Sequence, residues 1–381
     1  MRVTLILTVA VTWSLFGLTF QLPAVEVEHV VVYQQPGRFG GWPANHGMWS
    51  WGNELLVGFS AGYYKDNGVK FHAIDHDRPE EHLLARSVDG GQTWNIENPA
   101  SDGALIPRGE ALHGTELPRV IDRPWLDCPG GIDFTHPDIA MTLRMSDNHG
   151  GQSRFYYSTD RGHHWNGPFK FPLLGLKGVS CRTDYIVNGP RDCFVFSTAS
   201  KSNGREGRPF CARTTDGGKT WNFVGWIGDE PKGYAIMPST VRLAAGGLLS
   251  AIRLRDGDTS WIDAYYSPDE GVHWELRSKP APDTGEGNPA AMHRLRDGRV
   301  CVTYGVRKAP FGMRARLSKD EGRTWGKEIV LRDDGGGRDL GYPRSVERPD
   351  GKIVTTYYIY HDHKEPRYIA ATIWDPNSAG D

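Results

Sequence analysis

The sequence predicts an all-β fold: a six-bladed β-propeller of four-stranded antiparallel blades, closed by the N-terminal strand. Three observations predict it. One turn motif recurs along the chain, strand pairs opened by corner prolines recur in phase with it, and a lone N-terminal strand belongs to no repeat of its own. The motif reads Ser/Thr-x-Asp-x-Gly-x-x-Trp. It stands at Ser87–Trp94 (SVDGGQTW), Ser158–Trp165 (STDRGHHW), Thr214–Trp221 (TTDGGKTW), Ser267–Trp274 (SPDEGVHW) and Ser318–Trp325 (SKDEGRTW). The motif returns after 71, 56, 53 and 51 residues, close to the period of a repeat architecture.

The motif is explained by local physics. Asp and Gly sit where two strands turn back on each other. The carboxylate accepts bonds from turn amides, and Gly takes a backbone angle that other residues avoid. The Ser or Thr hydroxyl adds a bond, and the Trp is expected to pack the turn onto its own sheet. These aspartates are therefore expected to be structural, and the chemistry must lie elsewhere.

Each unit opens upstream with a corner, then two strands. Trp42-Pro43 through Gly58, Met237-Pro238 through Arg253, Asn288-Pro289 through Gly305 and Tyr342-Pro343 through Tyr358 show the pattern. His136-Pro137 is read as another opening, and Cys181–Ser197 as a weaker one. The sixth unit ends in RYIAATIW, Arg367–Trp374, without the motif. Val25–Val32 alternates polar and apolar residues as a strand does. It is placed to complete the last blade, and closure removes unpaired sheet edges. Asn98–Gly131, rich in Pro and Gly, is read as a long loop between the first two blades.

The chain has 381 residues, with 38% hydrophobic residues, 47 glycines and 13 tryptophans, which suits strands and turns. Its formal net charge of −2 gives no argument for nucleic acid or a membrane surface as partner. Arg2, an uncharged stretch from Val3 to Phe20 and Gln21-Leu22-Pro23-Ala24 resemble a secretory signal cleaved near Ala24. Residues 1–24 are thus expected to be removed, leaving 25–381 as a single propeller domain, exported to the periplasm or the exterior. A retained anchor is the alternative. The five cysteines, Cys128, Cys181, Cys193, Cys211 and Cys301, fit either one disulfide with leftovers or buried thiols. There is no Cys-x-x-Cys spacing and no phosphate loop, and Asp75-His76-Asp77 reads as a solvated polar turn, so no metal or cofactor is expected.

Candidate site residues follow from the blade register. Corner residues and the ends of second strands converge on one mouth of a propeller. Around the corners stand His46, His136, Asp138, Arg182, Asp184, Tyr234, Glu286, Asn288, Tyr342 and Arg344. Arg253 and Arg307 end second strands at matching places, and Glu206 follows a hairpin loop. Several arginines from different blades suggest an anion, because guanidinium grips a carboxylate with two parallel bonds.

Five such boxes on six units resemble the sialidase (neuraminidase) superfamily, also called BNR-repeat proteins. The resemblance covers about Val25–Trp374. It implies an exo-acting hydrolase for a terminal acidic sugar, with three arginines on the carboxylate, a tyrosine nucleophile, an assisting glutamate and an aspartate as acid/base. On this resemblance Arg253 and Arg307 hold the carboxylate and Tyr342 is the nucleophile, with Arg344 a substitute for the displaced arginine and Glu286 for the glutamate. From the blade register, Arg182, His46, His136 and Asn288 are further substrate-binding candidates, and the alternative to tyrosine attack is attack by water with Asp138, Asp184 or Glu206 as acid and base. The sequence departs from the family pattern where Arg38 stands away from its corner and Met237 replaces the glutamate. Those departures keep open a lyase or glycosidase acting on another uronate-containing glycan, and a non-catalytic glycan-binding propeller. In every reading the partner is a glycan carrying a carboxylate.

Overall fold

The computed structural model describes residues 26–78, 80–99, 111–112, 115–116 and 125–378. The expected signal, residues 1–24, and much of the Asn98–Gly131 loop lie outside them. Six antiparallel sheets follow one another along the chain as blades 1 to 6. Blade 4 is the simplest, with strands Tyr234–Arg242, Leu248–Asp256, Thr259–Ser267 and Glu275–Ala281 paired in chain order. Blade 6 takes Gly341–Glu347, Ile353–Ile359 and Tyr368–Trp374, and its outermost strand is Val27–Tyr33 from the other end of the chain. Val27 lies opposite Trp374 and Val31 opposite Ala370, so the N-terminal strand closes the ring.

Blade 2 shows three strands among the described residues, Ala140–Met145, Ser153–Ser158 and Asn166–Phe171. By register these are its second to fourth strands, since the box joins the last two. The innermost strand of blade 1 is split. Arg38–Gly41 and Met48–Trp51 flank a one-turn helix, Pro43–His46.

The core consists of six apolar wedges between successive blades rather than one central mass. Leu55, Val57 and Phe59 of blade 1 point toward Val354, Tyr358 and Ile369 of blade 6. Leu56, between them in sequence, points the other way toward Tyr156 and Trp165 of blade 2. This is the period-two alternation of a strand buried on both faces. Equivalent clusters join blades 2 and 3, 3 and 4, 4 and 5, and 5 and 6.

The boxes follow the expected bonding. In the last copy the Ser318 hydroxyl accepts from Gly322 N at 2.8 Å, and Asp320 Oδ1 accepts from Thr324 N at 2.8 Å. In the first copy burial opposes ionisation, yet bonds from Thr93, Ser87 and Gln92 hold the Asp89 carboxyl down to about 2. One expectation is corrected. Each box packs against the preceding blade as well as its own sheet. A Cβ on Gly322 would lie 2.5 Å from Leu249 of blade 4, and one on Gly91 would lie 3.3 Å from Val354 of blade 6. The reason is geometric: the turn leaves the third strand and curls into the wedge beside it. The box thus fixes blade against blade. All five cysteines are buried free thiols.

The one-turn helix plugs the axis. Gly47 N reaches Pro43 O at 3.2 Å, the other three carbonyls have no helical partner, and side chains from other blades supply them. Arg144 of blade 2 donates to Asn45 O at 3.1 Å, Thr183 of blade 3 donates to His46 O at 2.8 Å, and Arg344 of blade 6 donates to Ala44 O at 2.6 Å.

Candidate active site at the axis mouth

First strands begin, and second strands end, at the face opposite the boxes. Three corner residues there, Trp42, Met237 and Tyr342, adopt left-handed backbone angles of φ 59°, 56° and 53°, and each precedes a proline. Such angles cost an L-residue about 1–2 kcal/mol and persist only where the surroundings hold them. Two of them, Trp42 and Tyr342, border a cavity of about 350 Å³ that is also lined by Asn45, His72, Asn148, His149, Arg182, Glu206, Tyr234 and Ile236, the last next to Met237.

Tyr342 is held on its backbone side by Asn288, which is fully buried. Tyr342 N donates to Asn288 Oδ1 at 2.9 Å, and Asn288 Nδ2 donates to Leu340 O at 2.8 Å. The Tyr342 hydroxyl accepts from Arg253 Nη1 at 3.2 Å, and the Tyr234 hydroxyl accepts from Arg253 Nη2 at 3.0 Å. Burial by itself would push the Tyr342 phenol up. The neighbouring Arg253, Arg307 and Arg182 guanidiniums outweigh it and draw the phenol below its ordinary value. Across the cavity Arg182 pairs with Glu206, and Glu206 N donates to His149 Nδ1 at 3.2 Å.

Of the residues expected from sequence, Tyr234, Tyr342, Arg182 and Glu206 line this cavity, Arg253 stands directly behind the two tyrosines, and Asn288 supports one of them. The others are placed elsewhere. Arg307 packs 5.4 Å from the Tyr342 ring centroid, but its Nε and Nη2 are spent on Leu340 O and Nη2 also meets Tyr358. Arg344 lies below the cavity, bonded to Ala44 O and Thr183 O. Asp184 is beside it at 4.0 Å, accepts from Thr240 N at 3.4 Å, and is lifted by burial to about 7. His46 bonds Ser60 at 3.0 Å in the interior, and burial keeps its imidazole well below the ordinary value. Glu286 is on the rim, 2.5 Å from Arg338, and does not meet Tyr342.

Asp138 and His136 are on the opposite face. Asp138 pairs with Arg161 of the second box at 2.7 Å, and His136 Nδ1 accepts from Asp138 N at 3.2 Å. Their corner was expected to open the first strand of blade 2. It leads instead into the second, Ala140–Met145, and so turns on the box side.

Three cavity residues were not expected from sequence. Asn148 and His149 sit in the turn joining the second and third strands of blade 2, the position that carries Glu206 in blade 3. His72 lies on the long loop after the second strand of blade 1. Its signal was the turn register itself: loops joining second to third strands all reach the mouth. His72 and His76 stand four apart, but on irregular chain, and no group of metal-binding type occurs among the described residues.

This is a six-bladed propeller with a polar, tyrosine- and arginine-bearing cavity at one mouth of its axis. Residues 138–355 match the BNR repeat-like domain, and the chain belongs to that family. No curated protein matches it. Among solved structures it is similar to a protein of unknown function from Dyadobacter fermentans, with 21% identity, a TM-score of 0.68, and coverage of 92% of this chain and 99% of that one. It is also similar to Trypanosoma rangeli sialidase in complex with sialic acid, with 12% identity, a TM-score of 0.58, and coverage of 92% of this chain and 59% of that one. A third is Penicillium chrysogenum α-L-arabinanase complexed with arabinobiose, at 15% identity and a TM-score of 0.57, covering 93% and 99%. At these identities the likeness establishes the fold.

Proposed function

We propose that the protein is an exo-acting glycoside hydrolase whose cavity takes one terminal acidic sugar, sialic acid first among the candidates. The observation that carries the reading is Tyr342, a phenol at a strained corner, aimed into the cavity and drawn below its ordinary pKa by Arg253 and its neighbours. A phenol near pKa 10 is a poor nucleophile at neutral pH, and a cationic pocket is one way to activate it. In this reading Tyr342 attacks the anomeric carbon as its phenolate, which the adjacent Arg253 guanidinium stabilises. The glycosidic C–O bond breaks, its electron pair leaves with the departing oxygen, and that oxygen takes a proton. Water then displaces Tyr342 from the sugar and gives up its proton. Arg182, paired with Glu206 in the cavity wall, and Arg253, behind the tyrosines, are the cations nearest a substrate carboxylate. Fold-level likeness to a sialidase and an arabinanase agrees with glycan chemistry but does not choose the sugar.

The test is release of a fluorophore from α-sialosides and from uronides. Arg253→Ala is expected to lower kcat/KM by ~10²–10³, with Arg253→Lys recovering part of it. Activity unchanged in both variants would remove Arg253 from the site.

A second reading is favoured by one observation. Arg307 and Arg344 are committed to carbonyl oxygens, so three arginines do not converge on the cavity. A neutral sugar would then suit the site better. Release from neutral furanosides with none from sialosides or uronides would select this reading. Export is proposed with either, from the signal-like N-terminus. It is checked by the mass of the secreted protein, which should begin at Val25.

A further inference from the structure

The loop between the second and third strands of blade 1 walls a second cavity, of about 530 Å³, lined in part by Lys70, Phe71, Ile74 and Arg338. His72 lines this cavity and the one holding Tyr342, and it is the one residue common to both linings. Its Nδ1 is 2.5 Å from Asp339 Oδ1. Asp339 is 1% exposed and also accepts from Ala73 N at 3.1 Å, Tyr358 Oη at 2.9 Å and Arg367 Nε at 2.9 Å. Burial opposes its ionisation, but His72, Arg367 and Arg307 hold the carboxyl well below the usual range. An ionised carboxylate only accepts hydrogen bonds, so His72 Nδ1 must donate. Nε2, on the far side of the ring, is then the nitrogen that can exchange a proton with the cavities.

In an exo-hydrolase the scissile oxygen lies at the boundary between the pocket for the released sugar and the space for the leaving group. The group that protonates that oxygen must stand at the same boundary. We propose that His72 is the acid/base of the reaction, that Asp339 positions it, and that the neighbouring cavity receives the saccharide leaving group. This rests on the glycosidase reading. Phe71, 66% exposed, offers a flat apolar face to a sugar ring, and Lys70 and Arg338 offer donors to its hydroxyl groups. In the first step the Nε2 proton passes to the glycosidic oxygen as the C–O bond breaks and its electron pair goes to that oxygen. In the second, neutral Nε2 takes a proton from the water that attacks the anomeric carbon. The imidazolium is restored, and one water has been consumed.

The test compares leaving groups. His72→Asn and His72→Gln should lose ~10²–10⁴ in kcat/KM on sialyllactose, whose leaving alkoxide needs a proton, and less than ~10-fold in the first step on a dinitrophenyl sialoside, whose leaving phenolate does not. Phe71→Ala should raise KM for sialyllactose, and an unchanged KM would show that this cavity does not receive the leaving saccharide. Equal loss on both substrates, or loss on neither, in the histidine variants would overturn the assignment. If the wild type cleaves neither substrate, the sialoside reading fails by itself. The boundary position is then read by imidazole ¹⁵N resonances during titration with sialyllactose. A shift at His72 Nε2 supports a saccharide site there, and unmoved resonances refute it.

Discussion

Asn288→Ala isolates the support beneath Tyr342. Asn288 is completely buried, accepts from Tyr342 N at 2.9 Å and donates to Leu340 O at 2.8 Å. In the variant Leu340 O stays satisfied, because Arg307 Nε and Nη2 bond it at 3.1 and 3.0 Å. Tyr342 N–H is left without an acceptor in the interior. An orphaned buried amide costs about 1–3 kcal/mol, and the volume of the lost amide adds on the order of 1 kcal/mol. The stability loss is thus about 2–4 kcal/mol, measured by urea unfolding with tryptophan fluorescence. The same bond holds Tyr342 at φ 53°, an angle it would otherwise leave. A misplacement of ~1 Å at a reacting atom costs ~10²-fold in rate, so kcat on an active glycoside should fall by about that factor in protein that is still folded. Lost stability with unchanged kcat would show that Asn288 braces the blade without positioning the tyrosine. A stability change below ~0.5 kcal/mol would refute the bonding argument.

Two further predictions concern the frame. Burial lifts the Asp184 carboxyl to about 7, against the opposing effects of Arg344 and Thr240. Its folded pKa therefore exceeds the unfolded value of about 3.9, so the contribution to stability is fully present below that value and is lost as pH rises through about 7. Wild-type stability should show a falling component of ~1.4 kcal/mol per pH unit between those values. Asp184→Asn should lack it, and parallel pH curves for the two proteins would contradict the assignment. Gly322→Ala should cost about 2–4 kcal/mol in denaturant unfolding, from its φ of 80° and a Cβ 2.5 Å from Leu249. Gly351→Ala, at φ 85° with nothing within 4 Å, should show only the backbone share of ~1–2 kcal/mol. Equal losses would show that the box does not join blade to blade.

The propeller was legible in the sequence because its signals are local and repeated. A Ser, an Asp, a Gly and a Trp at fixed offsets make one turn whatever the surroundings, and they set the phase of the strands. That phase brought Arg253 and Tyr342 into view. It failed at His136-Pro137, where a corner proline turned on the opposite face, and Asp138 went with it. It also gave no view of side-chain partners. Arg307 and Arg344 were read as ligands for an anion, whereas backbone carbonyls at the axis already occupy them. The carbonyl that Arg344 meets, Ala44 O, is exposed to it because a one-turn helix interrupts blade 1, a feature that four residues cannot announce in sequence, and the one that Arg307 meets, Leu340 O, lies just before blade 6. His72 was missed for a related reason: its significance rests on Asp339, which is remote in sequence and comes from the far side of the ring closure.

The central claim, that Tyr342 takes the sugar, is tested most directly by trapping. The protein would be incubated with a fluorinated sialosyl fluoride, digested, and sequenced by tandem mass spectrometry. The account predicts one added sugar on the peptide containing Tyr342, reduced in Arg253→Ala and absent in Tyr342→Phe. A sugar found on Glu206, or steady turnover of sialosides with Tyr342 never labelled, would contradict it.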